Sequence, residues 1–265
     1  MIGPAINFRT RIINAAVITL AAVLISLLLW ATGWFNGLEL KTWDWRAGRF
    51  AKPGENTSHI CLILVDQPSI DWAAEENGWP WPWPRTAYGA IIDFLNRSGA
   101  KAVGIDILFT EQSSYGVSDD KVFNKACRSY GKVAAACGLG FESGIRTWPE
   151  GLPKPFFAEN ISIQPSVQKK LSRPLATFPH RDLAPGFQVF GNVDQNPDAD
   201  GIYRRMAPLR FFDNNPLPIL GLAAYFAAEE KVNIVFSERM VNVGGLDIPL
   251  DRSGQALLRF RGPSG

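Results

Sequence analysis

The chain has 265 residues, 46% of them hydrophobic and 20% charged, with nine Trp and a net charge of +2. Such a length and composition exclude a disordered tail or a fibrous repeat, and admit one large domain or two small ones. Arg9 and Arg11 account for the whole positive excess, so the rest is balanced and carries no footprint of a nucleic-acid binder.

From Ile12 to Thr32 no residue is charged. As a helix these residues span roughly 31 Å, about one hydrocarbon core. Arg9 and Arg11 precede the run, and Trp30, Trp34 and Phe35 stand at its far end, where an aromatic belt belongs. The positive-inside rule predicts a cytoplasmic tail over 1–11, a transmembrane helix over 12–35 and an extracytoplasmic domain over 36–265, in the plasma membrane (the inner membrane of a two-membrane cell). A cleavable signal peptide is the rival reading, because Ala31-Thr32-Gly33 has small-x-small spacing. Signal cores usually run only about 7 to 15 residues, which favours the retained anchor.

Beyond the anchor, Leu40, Trp43 and Ala47 have helical spacing, so the membrane helix continues or restarts there. "HICLILV" (59–65) reads as a buried parallel strand ending at Asp66. A long loop follows, carrying "WPWPWPR" (79–85). Proline fixes φ and pushes the preceding residue toward extended geometry, so 79–84 reads as a rod near polyproline II. "RTAYGAIIDFLNRSGA" is a helix stopped by Gly99, and "KAVGIDILF" (101–109) a second buried strand. "SDDKVFNKACRSYG" is a helix with Ser118 as its N-cap, and "KVAAACGLG" a third strand. Strands alternating with helices imply parallel pairing through right-handed crossovers.

In the second half, 142–175 reads as the most mobile loop. "PGFQVFGNV" and "GIYRRMAPLRFF" read as strands around an Asp-rich turn, 218–231 as a helix, "MVNVGGLDIPL" as a hairpin and "ALLRFRG" as a last strand. The fold class is thus α/β: a transmembrane helix, then a mixed, partly parallel sheet flanked by helices, with antiparallel hairpins in the C-terminal half. Cys61, Cys127 and Cys137 read as buried thiols, and their spacing offers no metal site. His59 and His180 read as surface histidines. An eleven-residue tail is too short to act inside the cell, so an inward signal needs further sequence beyond residue 265.

"WDWRAGRF", "ILVDQPSI", "WPWPR", "GAKAVGIDILF", "GNVDQNPDADGIYRRMAPL" and the closing "FRGP" occur in a distinctive order. Together they resemble the second class of CHASE-type domains, sensory extracellular modules associated with cyclases and histidine kinases. The likeness covers roughly 36–265. It implies an N-terminal membrane helix before the module. Downstream it implies further membrane helices and a cytoplasmic adenylate or guanylate cyclase, histidine kinase or Ser/Thr kinase. It also implies sensing of a small molecule or physical stimulus, without catalysis or a cofactor in the module.

Ligands of open α/β sheets bind beyond the carboxyl ends of the strands. Asp66, Asp106 and Glu111 lie there by this reading, with Arg85 delivered to the same edge by the Trp-Pro run. They form either a common pocket, in which Arg85 neutralises the carboxylates or binds an anionic ligand, or a structural salt bridge that closes the edge. Trp81 and Trp83 form a stacking wall or homodimer contact, or pack over the sheet. "NPDADG" matches half a calcium loop, but position 12 falls on Ala207 where a Glu is needed. Asp198, Asp200 and Gly201 therefore read as a braced turn, with Arg204 or Arg205 pairing inward. Two further readings stay open: an extracytoplasmic hydrolase using Asp66 and Asp106, and a purely dimerising module.

Overall fold

The computed structural model describes residues 8–229, 231–237 and 239–262. The first seven residues of the expected cytoplasmic tail, and the last three of the chain, lie outside them. The chain divides into two compact units: residues 1–62 with 259–265, and residues 63–258.

In the first unit, α1 (Phe8–Ala31) buries none of its residues. It stops at Gly33, whose φ of 74° is open to a residue without Cβ. Gly33 N–H donates to Trp30 O and Trp34 N–H to Leu29 O, which satisfies the last carbonyls of the helix. Helix α2 (Asn36–Phe50) then restarts, so the two are separate helices.

The segment that follows α2 brings a correction. Residues 60–66 belong to no strand, and Leu62 and Leu64 are 79% and 74% exposed. A continuous apolar run reports a local preference, whereas a strand exists only where its N–H and C=O groups find a ladder. A second correction follows. The expected loop contains α3 (Gln67–Asn77), which opens on Asp66 and Pro68 and closes at Gly78 with φ 65°.

Next come α4 (Arg85–Arg97), β1 (Val103–Ile105), α5 (Val117–Tyr130) and β2 (Val133–Gly140). The N-cap of α5 is Gly116 rather than Ser118, one of several boundaries that differ by a residue or two. Later elements are β3 (Ile161–Ser162), α6 (Pro165–Leu171), β4 (Leu175–Thr177) and β5 (Val189–Asn192). The expected mobile stretch 142–175 therefore holds elements of its own.

Strand β2 organises the domain. Parallel to it run β1, with Val103 opposite Val133, and β5, with Ala134 opposite Val189. Near its end β4 joins antiparallel, Gly138 opposite Thr177. Side chains alternate across a strand. Val133, Ala135, Cys137 and Leu139 therefore enter one core, with Tyr88 and Ile92 of α4 and Phe123 of α5. Ala134 enters the other, with Ala223 and Phe226 of α7 (Leu220–Ala228). Both faces are covered, which is why "VAAAC" is apolar throughout. Gly89 of α4 faces α5, where a Cβ would stand in ordinary contact distance, 3.6 Å, of the Cα of Phe123.

The remaining strands are β6 (Arg205–Met206), β7 (Leu209–Phe212), β8 (Asn215–Pro218), β9 (Ile234–Phe236), β10 (Met240–Val243), β11 (Leu246–Pro249) and β12 (Ala256–Leu257). Strands β10 and β11 form the expected Gly-Gly hairpin, extended by β9 and by β3, which is parallel to β9. An unforeseen hairpin joins β7 to β8 through Asp213 and Asn214, both at positive φ. β5 pairs parallel with β2, and β6 pairs with β12. The Asp-rich turn thus links two sheets rather than closing a hairpin.

That turn is held by ion pairs. Arg204, only 1% exposed, donates through Nη1 and Nη2 to the two oxygens of Asp200 at 2.8 Å each, and through Nη1 to Asp198 at 3.2 Å. Arg205 reaches the other oxygen of Asp198 at 2.7 Å. The Arg204 hydrogen bonds hold the Asp200 carboxyl down at about 2. The half-calcium-loop aspartates are thereby turned onto arginines.

Among the cysteines, Cys127 and Cys137 are buried free thiols, and burial pushes Cys127 up to about 12. Cys61 is exposed, contrary to expectation, because its segment joins no sheet.

Candidate functional site

The Trp-Pro run is not a straight rod. It bends at Trp81–Pro82, whose peptide bond is cis. Trp83 turns inward onto the α4–α5 core, its ring 6.2 Å from Tyr88. Trp81 remains half exposed, edge-on to Trp83 at 6.1 Å. Pro84 is the N-cap of α4 and has no side-chain acceptor, so the first amides of the helix need a partner from elsewhere. Asp119 of α5 provides it, accepting from Arg85 N–H at 2.5 Å and Thr86 N–H at 2.8 Å. Ser113 Oγ donates to the same carboxylate at 2.5 Å.

Arg85 is buried. Its guanidinium stacks on Phe109 at 4.3 Å, lies 3.5 Å from Asp120 and donates to the Glu111 carbonyl at 3.3 Å. The acidic partners of Arg85 are thus Asp119 and Asp120, which the sequence offered only as first-turn residues of a helix. Asp66 instead caps α3, accepting from Ser69 N–H at 3.0 Å and Ser69 Oγ at 2.5 Å. Asp106 is exposed just past β1, and the Glu111 carboxylate is exposed in its loop.

Burial pushes the Asp119 carboxyl up. The bonds from Ser113, Arg85 and Thr86 outweigh it, and the group titrates below the ordinary 3.8. The folded state therefore binds fewer protons here than the unfolded chain. The contribution of Asp119 is complete above about pH 4 and is lost as pH falls through its lowered value. Melting curves at pH 7 and pH 3 are expected to show a smaller acid-induced drop for Asp119→Asn than for wild type. An equal drop would remove Asp119 from the acid response.

A different place offers open polar lining. A cleft of about 340 Å³ lies at the carboxyl ends of β2 and β5. Its lining includes Gly138 and Gly140 of β2, Glu142, Arg173, Asp194 and Arg210. Buried Asn192 holds the chain after β5, accepting from Asp194 N–H at 3.2 Å and donating to Asp194 O at 2.9 Å. This sets the Asp194 carboxylate over Gly138, where a Cβ would lie 2.7 Å from Oδ2. The loop after β2 is pinned by exchanged backbone bonds between Ile145 and Ala176 and by Trp148 N–H donating to Asp213 at 2.7 Å. None of these cleft residues was singled out from sequence, although an arginine inside the apolar run "PLRFF" was a usable signal.

A family model described as CHASE2 domain matches residues 18–264. The chain belongs to the CHASE2 family. CHASE2 domains are extracellular sensory modules, and the match takes in the whole α/β unit together with most of α1. No curated protein and no solved structure matches the chain. In this CHASE2 domain the Trp-Pro loop is bound up with helix capping and core packing. The cleft beside β2 is where charged side chains face open space.

Proposed function

We propose that the chain is the extracytoplasmic sensory module of a membrane receptor, anchored by α1 and coupled to a cytoplasmic nucleotide cyclase or kinase. The observation that carries this reading is a 24-residue helix, uncharged from Ile12 onward, that buries none of its side chains within the protein. Lipid is the solvent that such a surface fits. Two arginines on its N-terminal side and the CHASE2 match support the orientation and the sensory role. A stimulus acts by favouring one of two arrangements of the domain, so it must interact with them unequally. For the hydrolase reading, nothing in the geometry speaks in favour: Asp66 is engaged as a helix cap, and Asp106 stands exposed.

Reporter fusions after Phe50 test the topology. Alkaline phosphatase, active only outside the cytoplasm, is expected to be active there, and a cytoplasm-dependent fluorescent reporter dark. The opposite pattern would end the receptor reading.

A further inference from the structure

Arg210 stands on β7 and is 5% exposed. Among the described residues, its guanidinium takes part in no ion pair or hydrogen bond, and it lines the cleft beside β2. Burial, and then the charge of Arg173, bring its pKa down to about 10, so it stays protonated at neutral pH. Arg173 donates through Nη1 to Ser172 O at 2.9 Å and stacks on Phe141 at 5.0 Å, leaving most of its fork free. Two neighbouring guanidinium groups repel each other, and the one on Arg210 opens on the cleft from a side chain that is otherwise buried. A carboxylate seated on both would relieve the repulsion and complete the missing bonds.

The opposite lining is acidic. Asp194 is held over Gly138 by the Asn192 turn, and Glu142 follows β2. A multiply charged anion such as phosphate would meet these carboxylates as well as the arginines. We propose that the cleft binds a small amino-acid-like zwitterion, its carboxylate across Arg210 and Arg173 and its ammonium group toward Asp194 and Glu142. The cleft volume of about 340 Å³ suits a ligand of that size. This assigns a ligand class to the proposed sensor and rests on that reading. Its test reads binding alone, so a failed topology experiment would leave the binding result standing.

The full chain in detergent micelles is melted by differential scanning calorimetry with three probes at equal concentration and ionic strength. They are a mixture of the twenty standard amino acids, acetate, and inorganic phosphate. The amino-acid mixture is expected to raise the midpoint by roughly 3 °C or more, acetate by less, and phosphate not at all. Arg210→Gln and Arg173→Gln are expected to abolish the rise. Asp194→Asn is expected to keep the acetate response and lose the extra gain from the mixture. If Arg210→Gln fails to fold, the other two variants carry the test. No shift with the mixture, a phosphate response as large as that of the mixture, or an unchanged response in Arg173→Gln would overturn the assignment.

Discussion

Arg204→Ala is expected to destabilise the α/β unit by about 3 kcal/mol, the scale for breaking a buried charged network and leaving a cavity. Arg204 is 1% exposed and ties together Asp198 and Asp200, on the segment that joins the sheet of β5 to the pairing of β6 with β12. Its backbone carbonyl also accepts from Leu258 N–H at 2.8 Å. For a domain of this size, about 3 kcal/mol corresponds to a drop of roughly 6–12 °C in melting temperature. Arg204→Lys should recover only part of the loss, because an ammonium group lacks the planar fork that spans two carboxylates. The Asp200 side chain is 42% exposed, so Asp200→Asn should cost much less. A melting temperature for Arg204→Ala within 2 °C of wild type would show that the turn does not depend on the arginine.

Gly191→Ala carries the second large effect, with a different cause. Gly191 lies on β5, directly under the first turn of α7. A Cβ built there would stand 2.4 Å from the Cα of Leu220, 2.9 Å from its N and 2.9 Å from the Cβ of Ala223. Two of these neighbours are backbone atoms, so no rotamer change relieves the clash and α7 must shift as a body. Overpacking of this kind costs about 3 kcal/mol. The internal control is Gly221→Ala, one residue into the same helix, where a Cβ meets nothing within 4 Å. There alanine should stabilise by about 0.5–1 kcal/mol through helix propensity. If both variants melt alike, the close approach of α7 to β5 is not what the glycine serves.

The elements legible in the sequence are those whose signal is local. Helix α4 showed its stripe of Tyr88, Ile91, Ile92 and Leu95 and its stop at Gly99. There Ala100 N–H donates to Leu95 O at 3.1 Å, as a glycine stop requires. β2 was legible as an unbroken apolar run, and the β10–β11 hairpin from its Gly-Gly turn. Helix α3 went unread because Trp72, Glu75 and Glu76 leave it almost without an apolar stripe; only Ala73 is buried. Its cap, Asp66 followed by Pro68, was visible but was taken for the end of a strand.

The site was harder to read because its contacts are distant along the chain. Arg85 meets Asp119 and Asp120 more than thirty residues away, and nothing in "SDD" distinguishes a helix-dipole acid from the cap of another helix. Arg173, Asp194 and Arg210 come from three separate segments and share no spacing.

By itself the sequence determined the charge-free N-terminal span, the balanced charge of everything after it, the α/β class and the CHASE-type resemblance. Each of these depends on composition or on neighbours a few residues apart. Only the tertiary structure decided that 60–66 joins no ladder, that Asp119 caps α4, and that two arginines and two carboxylates line one cleft. Pairing across a sheet and between charges is set by distance in space, and local preference carries no record of it.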